Sequence, residues 1–323
     1  MYLDLGGQRI SISCKLTNME ILENVPLAPL TTFKIGGQAR YMVEARKDDD
    51  IREAVQWAKD KGVRFFVLAG GSNVLIPDEG LNALVIRLKG NLWGVSGNVI
   101  DAWAGTNLLE LIRAFGAQGK GGWEKLAGIP GSVGGAVRGN AGAFGSEIKD
   151  VVTSVRALHV RNGEVKEFTN AECDFSYRHS FFKDNPQWII TRVNATLSLI
   201  NSEQSKRLAE ETIAEREKRH LQNVKAAGSF FMNPVAPSEV IAMFEKEKGV
   251  KSREGRVPAG WLIEKSGMKG ATVGEAIASL QHPNYIVNQG NATAEDVLSL
   301  SEVVEQKVQK DFGVRLEREA AIL

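Results

Sequence analysis

The chain has 323 residues, with 40 lysines and arginines against 39 aspartates and glutamates, a net charge of +1. That length supports two or three lobes with a sizeable core, while the charge balance excludes a global field favouring nucleic acid or an anionic membrane, so any phosphate must be met locally. No stretch approaches the roughly 18 consecutive apolar residues of a membrane span, and the N-terminal segment lacks the basic and apolar regions of an export signal, so the protein is expected in the cytoplasm.

In chain order, residues 1–30 are weakly patterned, and Pro26 and Pro29 mark an extended lead-in. A strand is expected to begin in Leu30-Thr31-Thr32-Phe33-Lys34-Ile35-Gly36-Gly37. Asp49 or Asp50 can cap a helix with Ile51, Val55 and Ala58 on one face, ending near Gly62. Arg64 to Leu68 reads as a short buried strand running into Ala69-Gly70-Gly71-Ser72-Asn73-Val74-Leu75. A tight turn there presents consecutive N–H groups and a hydroxyl, a seat for a pyrophosphate; a plain connection between strands fits the same residues. Leu84 to Leu88 and Val99 to Trp103 follow as strands, and Asn107 with Glu110 starts a helix bearing Leu108, Leu111, Ile112 and Phe115.

From Lys125 to Glu147 come seven glycines, Gly128, Gly131, Gly134, Gly135, Gly139, Gly142 and Gly145. The stretch is expected to be neither an ordinary helix nor a central strand. Glycine lets a partner approach the backbone closely, so the run implies a large ligand lying on bare main chain. The alternative is a flexible surface loop, which would lack the apolar Ile129, Val133, Val137 and Phe144 threaded through it. Neither a P-loop nor a Rossmann spacing is present.

Beyond it, Thr153 to Val160 and Glu164 to Thr169 read as a hairpin through Asn162-Gly163. Trp188 to Leu199 is another strand, and a highly charged surface helix is expected over about 203–220. Helices follow at about Ser238 to Lys248 and Ala259 to Ser266, the second stopped by Gly267. Thr293 caps the last long helix, whose stripe Val297, Leu300, Val304 and Val308 reads as core; Gly313 ends it, and Val314 to Leu323 closes as a strand. Cys14 and Cys173 are too few for a disulfide framework. His159, His179, His220 and His282 stand in no metal-binding spacing, and no metal is expected.

The run Gly128-Ile129-Pro130-Gly131-Ser132-Val133-Gly134-Gly135-Ala136, followed by Asn140-Ala141-Gly142-Ala143-Phe144-Gly145, resembles the second flavin-binding segment of the UDP-N-acetylenolpyruvoylglucosamine reductases. Residues 69–75 are similar to their first pyrophosphate segment, differing at Ala69, and Thr31 to Gly37 to their opening T-x-F-x-I-G-G. Tyr177-Arg178-His179-Ser180-Phe181-Phe182, Gly228 to Pro234 (GSFFMNP) and Leu316 to Glu319 (LERE) match three more segments, in order. The resemblance spans roughly residues 20 to 323.

It implies an α+β fold: a two-lobed FAD-binding region of the vanillyl-alcohol-oxidase/PCMH type over 1–200, split near 90, an α/β substrate-binding domain over 201–312, and a C-terminal strand over 313–323 returning to the FAD region. It implies NADPH-driven reduction of UDP-N-acetylglucosamine enolpyruvate to UDP-N-acetylmuramate for peptidoglycan, through FAD held without a covalent link. The implied cofactor contacts are Thr32, Gly70, Gly71, Ser72, Asn73 and Leu75, then Gly128, Ile129, Pro130, Gly131, Ser132, Gly134, Gly135, Ala136, Asn140, Ala141 and Gly142. Implied substrate contacts are Tyr177, Asn233, His282 and a cation near the end of the charged helix, Arg219 or alternatively Lys218. The partner is a small nucleotide sugar, with no membrane, nucleic acid or obligate protein partner evident.

By the same resemblance Arg178 and Glu319 stabilise charge building on the substrate carboxylate, and Ser229 protonates the adjoining carbon. The chemistry is coherent. Arg offers a planar fork matched to a carboxylate. A serine is a poor acid in water, but a strongly basic enolate carbon held beside it makes the transfer feasible. Plainer roles exist: Arg178 packing on Tyr177, Ser229 capping a turn, Glu319 inert beside Glu317 in an edge strand, His282 a satisfied surface histidine. Met232 stands where the family usually has lysine, and relatives commonly continue past Leu323 with a short tail. An FAD oxidase of the vanillyl-alcohol-oxidase group is the alternative enzyme, and a scaffold retaining the flavin fold the non-enzymatic reading.

Overall fold

The computed structural model describes residues 2–5, 8–16, 19–219 and 224–323, with side chains described for 16, 19–218 and 224–323. The architecture is α+β, in two compact units. The first takes Met1–Val25, Ala39–Gly71 and Asn82–Arg216; the second takes Pro26–Gln38, Ser72–Leu81 and Glu217–Leu323.

The first unit carries two sheets. One has six strands in the order Tyr2–Leu5, Gln8–Lys15, Glu20–Pro26, Gln38–Ala45, Leu81–Leu88 and Arg64–Leu68. The other is antiparallel with five, Val165–Thr169, Val152–His159, Trp188–Thr196, Val99–Trp103 and Trp93–Ser96. Side chains from both sheets and from the helices Asp48–Asp60 and Leu108–Gly116 bury into one cluster, with Trp103, Phe115 and Trp123 at its centre. The helix at Leu108 starts as its sequence indicates: the Asn107 Oδ1 accepts the N–H of Glu110 at 3.0 Å.

The second unit packs Ser238–Lys248, Ala259–Lys265 and Ala294–Phe312 around a separate cluster containing Phe33, Leu75, Phe230 and Phe231. The last helix buries Val297, Leu300, Val304 and Val308, begins on a reciprocal capping box between Thr293 and Asp296, and stops at Gly313 in the left-handed region. Asp78 adds its carboxylate to that N-terminus, accepting the N–H of Ala294 at 2.8 Å, which complements the helix dipole. The strand Val74–Leu75 pairs in parallel with Ala321–Ile322.

Several expectations are corrected. Residues 31–37 are not a strand, because Lys34 (φ 59) and Gly36 (φ 127) lie in the left-handed region, and pairing starts at Gln38. The lead-in is extended over the sheet strand Glu20–Pro26, but Pro29 sits in the one-turn helix Ala28–Leu30. Arg64–Leu68 buries only Leu68, since it is an edge strand. The N-cap position of the helix Asp48–Asp60 is Lys47, which makes no side-chain capping bond; the three aspartates lie in the first turn, where Asp50 accepts the Arg46 N–H at 2.8 Å. In the closing segment only Ala321–Ile322 is strand. Among the described residues no helix is long and apolar enough to cross a membrane.

Candidate functional site

The glycine-rich run contains a short helix after all, Val133–Arg138, capped by Ser132, whose Oγ accepts the N–H of Gly135 at 3.2 Å. Glycine's helix penalty is offset by close packing. A Cβ on Gly134 would lie 2.7 Å from the Ala104 Cβ, and the Gly134 N–H donates to the Ala104 carbonyl at 2.9 Å. A Cβ on Gly70 would come within 2.6 Å of the Gly131 Cα, so Gly70 and the second glycine-rich segment touch backbone to backbone. Gly135 differs. It is exposed, and a Cβ there would meet only the Ser132 Oγ, at 3.4 Å. Internal packing accounts for Gly70 and Gly134; at Gly135 a side chain would fill open space over the backbone, the cradle that a flat cofactor needs.

Asn140 is fully buried at φ 41. Its Nδ2 donates to the Glu147 carboxylate at 2.9 Å and the Ser176 carbonyl at 2.8 Å, and its Oδ1 accepts from the Lys149 N–H at 3.3 Å. The amide is used as an internal brace. What it braces is the turn bearing Arg178. Ser176 and His179 each donate an N–H to the other's carbonyl, closing a tight turn over Tyr177 and Arg178, with Arg178 at φ 56. The buried Ser180 hydroxyl donates to the Arg138 carbonyl at 2.8 Å, and the Arg178 Nη2 donates to the Gly142 carbonyl at 3.3 Å. The half-buried guanidinium also lies 5.4 Å from the Tyr177 ring centroid. The glycine-rich run and the arginine turn are thus one built object.

In the second unit, the Thr32 hydroxyl donates to the Ser72 carbonyl at 3.4 Å, and the Asn73 Nδ2 donates to the Glu319 carbonyl at 3.2 Å. The Leu75 side chain is fully buried in the core. Residues 230–232 run antiparallel to 317–319: the Glu319 N–H donates to the Phe230 carbonyl at 2.8 Å and the Met232 N–H to the Glu317 carbonyl at 2.9 Å, around a bridge between Phe231 and Arg318. This brings Ser229 and Glu319 into neighbouring segments. Glu319 is half-buried and Glu317 exposed, while the intervening Arg318 pairs with Glu305 at 2.7 Å, so the two acids do not share one environment. Asn233 accepts at Oδ1 from the Ala259 N–H at 3.0 Å, and its carbonyl accepts from Arg256 Nη1 at 2.8 Å. His282 stands against Tyr285 with ring centroids 5.0 Å apart, and burial pushes its imidazole below the ordinary value. The Arg219 side chain and His220 lie outside the described residues.

Sequence reasoning passed over Asn284. It is 2% exposed; its Oδ1 accepts the Phe231 N–H at 3.0 Å, its Nδ2 donates to the Phe231 carbonyl at 2.9 Å, and its carbonyl accepts the Phe230 N–H at 2.7 Å. A lone amide between Pro283 and the apolar Tyr285-Ile286-Val287 was the available signal.

The family model for the C-terminal domain of UDP-N-acetylenolpyruvoylglucosamine reductase matches residues 219–323, and that for an FAD binding domain matches 39–169. A UDP-N-acetylenolpyruvoylglucosamine reductase of Carboxydothermus hydrogenoformans is 37% identical over 314 residues, covering 96% of both chains. The reductase of that name in Solibacter usitatus is 32% identical over 315 residues, 94% of this chain and 97% of the other. The crystal structure of the enzyme from Thermus caldophilus superposes with a TM-score of 0.74 at 32% identity, over 94% of this chain and 98% of that one. With identity of this order running through both domains and nearly the full length of its relatives, the chain belongs to the UDP-N-acetylenolpyruvoylglucosamine reductase family.

Proposed function

We infer that the chain is an FAD-dependent oxidoreductase that reduces UDP-N-acetylglucosamine enolpyruvate to UDP-N-acetylmuramate with NADPH, in peptidoglycan precursor synthesis. The observation that carries this is near-full-length similarity to reductases of that name. FAD, when bound, would supply the hydride chemistry that links NADPH to the enol ether. The residues present fit such a group, with open backbone at Gly135 beside the Ser132 hydroxyl.

We propose further that Gly70 to Asn73 and Gly128 to Gly142 hold the cofactor through their main chain, and that Tyr177, Arg219, Asn233 and His282 contact the nucleotide sugar. Arg178 would offset the charge that builds on the substrate carboxylate, which its rigid turn supports. Ser229 would give its hydroxyl proton to the adjoining carbon, whose enolate electron pair forms the C–H bond, and regain a proton from water. Glu319 would repel a developing dianion if ionised, so its role requires the protonated form or a bridge through water or arginine. The working division remains an FAD region over 1–200, a substrate domain over 201–312 and a returning segment over 313–323. A cytoplasmic location, with no membrane, nucleic-acid or obligate protein partner, is part of the same proposal.

The decisive test is a visible absorption spectrum of the purified protein under anaerobic conditions. A yellow flavin band bleached by NADPH and restored by the enol ether is expected. A colourless protein, or a band that NADPH does not bleach, would overturn the assignment, and rapid reaction of the reduced protein with oxygen would favour an oxidase.

A further inference from the structure

We propose that Asn284 is a positioning residue for proton transfer, acting through Ser229; this rests on the reading of Ser229 as the proton donor. A hydroxyl is so weak an acid that its usefulness depends on being held at the accepting carbon, and a displacement of about 1 Å can cost roughly a hundredfold in rate. Nothing local in the sequence holds Ser229. It follows Gly228, which sits at φ 78 with no atom within 4 Å of where a Cβ would be, so the chain enters Ser229 through a glycine that packing does not restrain.

The restraint comes from the C-terminal side. Phe230 and Phe231 are 0% and 1% exposed, and their backbone is gripped from two directions. On one flank lies the segment 317–319. On the other flank a side-chain amide stands where a strand would pair, accepting the Phe231 N–H and donating to the Phe231 carbonyl, from a position 53 residues away in sequence. Asn284 adds its own carbonyl to the Phe230 N–H. The amide accepts and donates there at once through two separate atoms: aspartate keeps the acceptor and loses the donor, alanine loses both and strands a buried N–H and C=O. The amide thereby fixes the two residues that follow the proton donor, and through them its hydroxyl.

The experiment compares the two half-reactions in the full-length holoenzyme, in Asn284→Asp and Asn284→Ala, each alone and combined with Ser229→Ala. Asn284→Asp preserves shape and serves where the alanine variant fails to fold. Expected for the single variants are flavin bleaching by NADPH within about threefold of the parent, flavin reoxidation by the enol ether slowed roughly 10- to 100-fold, and faster amide hydrogen exchange at 230–231. In the Ser229→Ala background the second substitution should slow reoxidation by less than about twofold, because the group it positions is already gone. Additive slowing in the double variant, equal slowing of both half-reactions, or unchanged reoxidation with Asn284 removed would overturn the proposal. Failure of the parent reading looks different: Ser229→Ala alone would then leave reoxidation unchanged.

Discussion

The glycine-rich run with its arginine turn and the Ser229–Glu319 segments are both built around main chain, but in opposite ways. The first is made by leaving side chains out: Gly134 rests on Ala104, Gly70 on Gly131, and Gly135 keeps its outer face clear. The second is made by putting distant residues in: Asn284 and the 317–319 backbone close on residues 230–232, and Asn73 in turn donates to the Glu319 carbonyl. Both regions carry motifs, but the omissions that shape the first are visible in its motif, whereas the convergence that holds the second, Asn284 above all, is written in no local pattern.

The largest effect that would test this contrast is at Gly135. Gly135→Val should abolish flavin retention while leaving the fold intact, because the new side chain meets little protein and fills the ligand's space. Gly70→Ala should instead cost stability, its Cβ colliding with the Gly131 backbone. Flavin content and thermal midpoint measured on both variants separate the two; full flavin occupancy in Gly135→Val would remove the cofactor from this face.

Next comes Ser229→Ala. Reoxidation of the flavin by the enol ether should slow by roughly two or more orders of magnitude, with NADPH-driven bleaching nearly unchanged, as removal of a positioned acid demands. Stopped-flow absorbance on each half-reaction measures it. Arg178→Lys should cost about 2 kcal/mol or more in transition-state stabilisation, since the charge survives without the two-point contact. Activity within about twofold of the parent would make Arg178 a purely structural part of its turn.

Asn140→Ala tests whether the amide in the glycine run is a brace. It leaves the Ser176 carbonyl and the Lys149 N–H without their buried partner, so a loss of about 1–3 kcal/mol in unfolding free energy is expected, read by denaturant titration. The smallest effect concerns His282. Its folded imidazole titrates below its unfolded value, so the unfolded chain binds more protons and stability is lost as pH falls from about 6.5 towards the folded value. His282→Gln should flatten that part of the stability curve, and an unchanged slope would show that another group sets it.

What the sequence disclosed follows the same division. The helix Ser238–Lys248, the strand Val99–Trp103 and the Thr293 cap were legible because each carries its own periodicity or end signal. Residues 31–37 and 314–320 were misread as strand because remote contacts set their shape: Phe33 stands against Phe230 at 6.4 Å, its carbonyl accepts from Asn288 Nδ2, and Arg318 is drawn to Glu305. The family resemblance implies a cofactor contact at Asn140, and what the sequence does not disclose is that its buried amide also has work inside the protein. Asn284 was overlooked because an isolated buried amide announces itself only through its partners.

The pairing of Val74–Leu75 with Ala321–Ile322 bears on how the protein is made. A ribosome adding about 5–20 residues per second exposes the Ser72-Asn73 turn tens of seconds before the residues that fasten it have been synthesised. The first unit draws on nothing beyond Arg216 and has all its residues while the last helix of the second is still to be translated. Until then Phe33 and Leu75, fully buried in the finished protein, have no core to enter. Fastening of the Ser72-Asn73 turn is therefore a late event in synthesis, and a nascent chain stalled short of residue 321 should be a client for chaperones.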